Sequence, residues 1–463
     1  MNYTLYTSND DTIVAPATAP GMAAIAVIRM SGKDAFAIAN QIFKGKNLEN
    51  VQSHTIHFGT IEYDGKIIDE VLVSVFKAPK SFTKENVVEI SCHGSDYIVK
   101  KILSLLILHG ARMAAPGEFT RRAFLNGRFD LAQAEAVADL IACDSESSHD
   151  LAIKQMRGGI STEIYNLREE LIQFTALMEL ELDFTEEDVE FANRNELMAL
   201  VEKILALTRR LASTFEYGNA IKNGVNTVIA GRPNAGKSTL LNALLNEDRA
   251  IVSDIPGTTR DTIEETIYIE GIAFRLIDTA GIREAADQIE AIGVQKTMEK
   301  IRTASIVLYV FDAAKLSVDE VRSDIQQLRH PSAGLIVVAN KSDLLNTNIN
   351  YPLIDNDITD GIITISALNR SNIDELKKIL FTFVTKDVQT ANTVVSNLRH
   401  YEALRAAEHA LLAVKEGIAA HRTTELIAED LREALRHLGS ITSQVSVDQD
   451  VLGAIFSRFC IGK

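Results

Sequence analysis

Three textures of apolar and polar residues follow one another along this chain. Up to about residue 122, apolar and polar positions alternate, as in Ile25-Ala-Val-Ile28, Val71-Leu-Val-Ser-Val75 and Val87-Val-Glu-Ile90. A period of two places successive side chains on opposite faces of a strand. Asp64-Gly65 and Pro116-Gly117 supply turn chemistry between such runs. The pattern predicts an α+β domain over residues 1–122. From Leu131 the spacing turns helical, in Leu131–Ile141 and Leu167–Leu182, with almost no Pro or Gly. Helical spacing resumes at Asn392 and runs through Leu438, while the acidic stretch Glu179–Glu190 reads as a solvated segment.

Between the helical halves, short apolar runs alternate with helical ones: Thr227–Ala230, Phe274–Ile277, Ile306–Phe311, Leu335–Ala339 and Ile362–Ile365. Strands apolar on both faces and separated by helices predict a parallel sheet covered on both sides. A domain whose ends lie close together can sit inside another without breaking its core. The expected chain is therefore multidomain. An all-α helical domain is built from 123–221 and 385–463, and an α/β domain over 222–384 is inserted between its halves.

Composition narrows the class. At 463 residues the chain exceeds a single core, and 46% apolar with 24% charged residues is ordinary for a globular protein. Met1–Asp11 has no basic stretch, and no apolar run approaches the roughly 18 residues of a membrane span. A cytoplasmic chain with no membrane partner is expected. Cys92, Cys143 and Cys460 are scattered and form no CxxC pair, which suits a reducing compartment. The formal net charge of -16 gives no global attraction to nucleic acid, so RNA contact would need a local basic patch. Arg121, Arg122 and Arg128 form one small basic cluster, best read as solvation of a helix start. His93, in Cys92-His-Gly94, reads as a packed or turn histidine.

The inserted block carries the chemistry. Gly231-Arg-Pro-Asn-Ala-Gly-Lys-Ser238 follows an apolar strand and precedes the helix former Thr239–Leu245, the context a phosphate-binding loop requires. Asn234, Ala235, Gly236 and Thr239 bring backbone N–H groups to phosphate oxygens. Lys237 reaches the β- and γ-phosphates, and the Ser238 hydroxyl ligates Mg²⁺. Asp278, Thr279, Ala280 and Gly281 follow the strand Phe274–Ile277, where an Asp acts on Mg²⁺ and a Gly N–H faces the γ-phosphate. Asn340, Lys341 and Asp343 follow Leu335–Ala339. The Asp343 carboxylate would accept from the two N–H donors on the guanine edge, a pair adenine lacks. Ser366-Ala367 would give a backbone N–H to the guanine oxygen. Each piece alone could be a turn or a cap. Together, at the carboxyl ends of parallel strands, they predict a Ras-like P-loop domain that binds GTP.

Residues Ser253, Asp254, Ile255, Pro256, Gly257, Thr258 and Thr259 lie where the first switch belongs, with a threonine hydroxyl available to Mg²⁺. After Gly281 comes Ile282, where Ras-like enzymes place a water-orienting Gln. An isoleucine cannot orient water, so another polar group must do it. Arg283, Glu284, Asp287 and Glu290 are the nearby candidates.

Asp278-Thr-Ala-Gly-Ile-Arg-Glu284, Gly257-Thr-Thr-Arg-Asp261, Gly117-Glu-Phe-Thr-Arg-Arg-Ala-Phe-Leu-Asn126, Asp130-Leu-Ala-Gln-Ala-Glu-Ala136 and the terminal Phe459-Cys-Ile-Gly-Lys463 carry a resemblance over the whole chain. It resembles the bacterial tRNA-uridine modification GTPase family MnmE (TrmE). The resemblance implies a hydrolase acting on GTP, and a homodimer formed through the N-terminal domains. GTPase domains would associate when GTP and K⁺ bind. With an FAD-dependent partner in a heterotetramer, the family sets an aminomethyl or carboxymethylaminomethyl group on carbon 5 of the tRNA wobble uridine. The one-carbon unit comes from a tetrahydrofolate derivative, in the 5-formyl or methylene form.

By motif, the resemblance assigns K⁺ to Asn234, Ser253, Ile255 and Thr258, and Mg²⁺ to Ser238 and Thr259. Glu290 is its catalytic glutamate. Its folate ligands map to Arg29, Glu85, Arg128 and Lys463, with Arg128 standing where the family pattern has lysine, and Cys460 is a candidate nucleophile or acid. Four residues from the end, Cys460 also mimics a prenylation box, which Gly462 and Lys463 fit poorly. A GTP-switched RNA or ribosome-assembly module is the competing class. Such modules carry an appended basic domain that so acidic a chain lacks, and they leave the terminal Cys-Ile-Gly-Lys unexplained.

Overall fold

The computed structural model describes residues 11–183, 193–247, 264–278, 300–331, 333–345, 359–386, 393–442 and Gly462. Contacts gather the chain into two compact units. One takes in Met1–Ile141, Gln155–Glu169 and Leu435–Lys463; the other takes in Ala142–Lys154 and Glu170–Ala434.

The first unit is built on a sheet of β1 (Ile13–Pro16), β2 (Ala23–Ser31), β3 (Phe43–Lys44), β4 (Thr55–Tyr63), β5 (Lys66–Phe76), β6 (Val87–Gly94) and β7 (Arg112–Met113). Their order is β3-β4-β5-β6-β2-β1-β7, antiparallel except where β7 joins β1. The expected alternation is present. On β5, Val71, Val73 and Val75 are buried while Glu70 and Leu72 face outward. Asp64 and Gly65, both at positive φ, close the β4–β5 hairpin. Helices Ala35–Ile42 and Asp96–Leu108 lie on one face and complete a single core with Ile28, Met30 and Ile90. The opposite face leaves Ile25, Ile56, Phe58 and Leu72 exposed, with Phe58 directly across from Leu72.

Two expectations fail here. Arg122 is not a solvated cation: it is 3% exposed and bonds Asp11, Glu85 and Glu118. Three converging carboxylates offset its desolvation; Glu118 is its i,i+4 neighbour, while Asp11 and Glu85 come from segments that sequence spacing does not connect to it. His93 is an exposed strand residue rather than a packed one. Its Nδ1 lies 2.7 Å from the buried carboxylate of Asp69, which also accepts the His93 backbone N–H.

The second unit centres on β8 (Val225–Ala230), β9 (Glu264–Ile269), β10 (Ile272–Asp278), β11 (Ile306–Asp312), β12 (Gly334–Asn340) and β13 (Gly361–Thr364). The order is β13-β12-β11-β8-β10-β9, and the five predicted strands are parallel. β9 was not foreseen and runs antiparallel at the edge. Its signal is Glu270-Gly271, both at positive φ, a two-residue turn between apolar runs. Apolar clusters cover both faces, one around Phe274, Leu308 and Ile336, the other around Tyr309, Val337 and Ala339.

Helices from either side of this sheet in sequence pack on one another. Arg194–Ser213, capped by Asn193, runs beside Leu398–Ala419, capped by Asn397. Arg209 bonds Glu408 at 2.7 Å, Lys415 bonds Glu202 at 2.6 Å, and Phe215 stacks on Tyr401 with ring centres 4.5 Å apart. The segment expected as one helical run from Asn392 is two helices, Leu398–Ala419 and Thr424–Thr442. His421 at φ 51 stands at the break, a left-handed conformation no helix continues through. Glu181, expected in a solvated stretch, is buried and bonds Arg194 at 2.6 Å.

Candidate functional site

The loop Gly231–Gly236 leaves β8 and delivers the chain into the helix Lys237–Glu247. Only glycine fits two of its positions. A Cβ on Gly231, at φ 153, would lie 2.1 Å from the Val310 carbonyl oxygen. One on Gly236, at φ 94, would lie 2.3 Å from Asn340 Nδ2. Asn234 adopts the left-handed conformation, φ 61. Lys237 is buried, and its Nζ donates to the carbonyls of Gly231 at 3.0 Å and Arg232 at 3.1 Å. A cavity of about 500 Å³ opens here, lined by Asn234, Gly236, Lys237, Ser238, Thr239 and Lys341, with Pro233 beside them.

Asn340 ties this loop to the predicted base-recognition segments. Its Nδ2 donates to the Ala235 carbonyl at 2.9 Å, and its Oδ1 accepts the Ala367 N–H at 3.0 Å. Lys341, left-handed at φ 67, donates Nζ to the Asn234 carbonyl and to Asp312 Oδ2, each at 2.8 Å. Ser366 Oγ donates to Asp343 Oδ1 at 2.5 Å and accepts the Asn369 N–H, which fixes the carboxylate's direction. The structure thus gathers Asn234, Ala235, Gly236, Lys237, Ser238, Thr239, Asn340, Lys341, Asp343, Ser366 and Ala367 around one end of the sheet. The backbone of Asp278 ends β10 beside β8. Ser253, Asp254, Ile255, Pro256, Gly257, Thr258, Thr259, Thr279, Ala280, Gly281 and Glu290 lie outside the described residues.

Sequence reading missed the support beneath the loop. Arg232 bonds Asp324 with Nε and Nη2 at 2.8 and 3.0 Å, and Glu320 with Nη1 at 2.9 Å. Tyr309 donates its hydroxyl to Asp324 at 2.6 Å. These partners lie 77 to 92 positions from Arg232, too far for any local pattern to reveal.

In the first unit a second cavity, of about 680 Å³, is walled by Phe76, Phe82 and Val87, with Glu89 and Arg128 on its lining. Arg29 reaches it through Glu89, which accepts its Nε at 2.8 Å, and lies 5.5 Å from the Phe82 ring centre. Arg128 sits over the same ring at 5.1 Å and over Phe129 at 5.1 Å, while donating to the Ser81 carbonyl. Two guanidiniums thus lie over one aromatic ring. Burial pushes the Arg128 pKa down.

Glu85, named from sequence, is not on this lining. Its carboxylate accepts Ser31 Oγ at 2.6 Å and Arg122 Nη1 at 3.3 Å. Glu89, four residues on, is the carboxylate that faces the cavity. Strand parity separates it from its buried neighbours Val88 and Ile90. Gly462 is buried, with its carbonyl 3.5 Å from Arg29 Nη1. Cys460 and Lys463 lie outside the described residues.

The family model described as GTP-binding protein TrmE N-terminus matches residues 12–128, and that described as MnmE helical domain matches 131–460. Two proteins called tRNA modification GTPase MnmE match over their full length. That of Cytophaga hutchinsonii is 54% identical, covering 100% of both chains. That of Flavobacterium johnsoniae is 52% identical, covering 98% of this chain and 100% of its own. The FeoB G-domain of Methanococcus jannaschii matches 35% of this chain and 97% of its own, at 22% identity. Its TM-score of 0.26 is too low to carry weight. No helix among the described residues is long and apolar enough to cross a membrane.

Proposed function

The chain belongs to the MnmE family of tRNA modification GTPases, and from that premise we propose a K⁺-dependent GTP hydrolase that modifies carbon 5 of the tRNA wobble uridine. It works as a cytoplasmic homodimer with an FAD-dependent flavoprotein partner, in a heterotetramer, and draws a one-carbon unit from a 5-formyl or methylene tetrahydrofolate. The observation that carries the GTPase reading is Asn340, which joins the phosphate loop at Ala235 to the base loop at Ala367. That link spaces a lysine for phosphate and an aspartate for guanine on one rigid sheet.

With nucleotide present, Lys237 exchanges its two loop carbonyls for phosphate oxygens, and loop N–H groups bind the rest. Ser238 and Thr259 would hold Mg²⁺; Asn234, Ser253, Ile255 and Thr258 would hold K⁺. Held by these residues, the two cations would supply positive charge to the phosphate oxygens. The fit at the described end is good: Ser238 stands in the first turn of a helix beside the cavity, and Asn234 is set apart by its left-handed backbone. Glu290 positions the attacking water in place of the Gln that Ile282 displaces. Asp278 acts on Mg²⁺ from the end of β10.

The N-terminal cavity suits a reduced folate: aromatic walls for flat rings, and a carboxylate at Glu89 for a heterocyclic N–H edge. We assign its ligands as Arg29, Glu85, Arg128 and Lys463, with Glu89 on the cavity lining beside Arg29. Folate held there would supply the one-carbon unit, and Cys460 is the candidate nucleophile or acid. The exposed apolar face bearing Ile25, Phe58 and Leu72 supports pairing of two N-terminal domains.

Two measurements test the reading. Wobble uridines of cells lacking the protein, analysed by mass spectrometry, should lose the carbon-5 group; unchanged uridines refute the modification role. Hydrolysis by the purified protein should fall at least tenfold when Na⁺ replaces K⁺, and equal rates refute the cation assignment.

A further inference from the structure

We propose that the N-terminal cavity recognises its folate in the γ-linked polyglutamate form, with the tail's carboxylates lying along Lys80, Lys84 and Arg128. The proposal rests on the folate reading above and deepens it. The argument is one of unmatched charge. Glu89 is the one carboxylate on the described lining, and Arg29 already pairs with it at 2.8 Å. The lining also carries three cations, and none of the three is paired with a carboxylate among the described residues. Lys84 Nζ donates to the Gly127 carbonyl at 2.8 Å, and Arg128 Nη1 donates to the Ser81 carbonyl. Lys80 is exposed, on the turn closed by its own N–H to the Lys77 carbonyl.

The cations are also segregated. Val87 is buried, and Phe82 and Glu89 are half-buried, so the inner wall is apolar with one neutralised ion pair. Lys80 and Arg128 are exposed and mark the rim, with half-buried Lys84 between the two levels. Flat rings belong against the inner wall, and whatever follows them crosses a positive rim. Low-dielectric walls focus that potential onto an anionic tail. A monoglutamate brings two carboxylates, and each γ-linked residue adds one. Three cations therefore match a diglutamate, and affinity should gain little beyond that length.

The test is calorimetric titration of the full-length protein with 5-formyltetrahydrofolate as mono-, tri- and pentaglutamate. At low salt the triglutamate should bind about tenfold more tightly than the monoglutamate, a difference of about 1.4 kcal/mol, with little further gain at five. The advantage should shrink at high salt, because exposed charges are screened. A Lys80→Glu, Lys84→Glu double variant with an unchanged melting temperature should lose the length dependence. Equal affinity for mono- and triglutamate overturns the proposal while leaving the folate site standing, as does a length dependence that survives in the double variant. Failure of every form to bind overturns the folate reading and this inference with it.

Discussion

Arg232, within the phosphate loop, grips Asp324 on the helix Val318–Leu328 through two hydrogen bonds of 2.8 and 3.0 Å. The fork is anchored below by Tyr309, buried on β11, whose hydroxyl donates to the same carboxylate. Burial first, then that bond and the Asp324 charge, pushes the tyrosine pKa up, so it remains a donor throughout the working range. A central strand, a flanking helix and the loop are thereby fixed to one another.

Asp324→Asn keeps the shape and removes the charge. Arg232 is 41% exposed, so the pair contributes only about 1 kcal/mol. GTP affinity should fall roughly three- to tenfold, chiefly through faster dissociation, read by stopped flow with a fluorescent nucleotide. An unchanged dissociation rate would show that the clamp has no part in holding the loop.

Asp343→Asn tests base recognition. With Ser366 holding one carboxylate oxygen, the other is set to accept from the guanine edge. An amide there presents a donor where guanine also has one, leaving a buried mismatch. GTP affinity should drop by about a hundredfold or more, and xanthosine triphosphate should bind better than GTP. Retained GTP affinity in competition binding contradicts the assignment.

Gly462→Ala probes the tail. At φ 101, a Cβ at this position would stand 2.0 Å from the Pro16 carbonyl oxygen, so the tail must shift away from Arg29. Modification of tRNA should fall more than tenfold while GTP hydrolysis stays near its original rate. Loss of both would make the tail a structural strut for the whole chain.

The pieces visible in sequence are those where a ligand dictates residue type. Gly231, Gly236, Lys237 and Asp343 each answer a demand of phosphate or guanine that few side chains meet, and the structure brings them together. The five parallel strands were legible because they are apolar on both faces. What stayed hidden depends on partners distant in sequence. The burial of Arg122 needs Asp11 and Glu85, and the support under Arg232 needs Tyr309 and Asp324. That Glu89 rather than Glu85 borders the cavity depends on Ser31 and Arg122 holding the Glu85 carboxylate elsewhere. A local pattern cannot report such convergence. By contrast, the β9–β10 hairpin has a local signal at Glu270-Gly271, which the helix–strand alternation around it masks by favouring parallel pairing.

The carboxylates around Arg112 and Arg122 predict an acid limit for the first unit. Arg112 bonds Asp11 at 2.7 Å and Glu118 at 2.6 Å, and Arg122 bonds both again. Burial would raise the Asp11 pKa, but hydrogen bonds from Arg112 and Arg122, with their charges, outweigh it and hold the group below its ordinary 3.8. Burial likewise opposes, and bonds from Arg112 and the Ala115 N–H outweigh it, at Glu118, held below its ordinary 4.5. A carboxylate depressed on folding stabilises the native state above its ordinary pKa and loses that contribution as pH falls through the folded value. Stability should therefore hold down to about pH 4.5 and decline below it. Arg112→Gln leaves Glu118 in a buried site with Arg122 as its remaining cation, which should cost about 2 kcal/mol at pH 7. That deficit should narrow toward pH 3, where protonated carboxylates no longer need the guanidinium. Amide exchange across β1 and β7 in the full chain, followed from pH 7 to 3, reads the difference; a deficit independent of pH would assign the arginine's role to packing rather than charge.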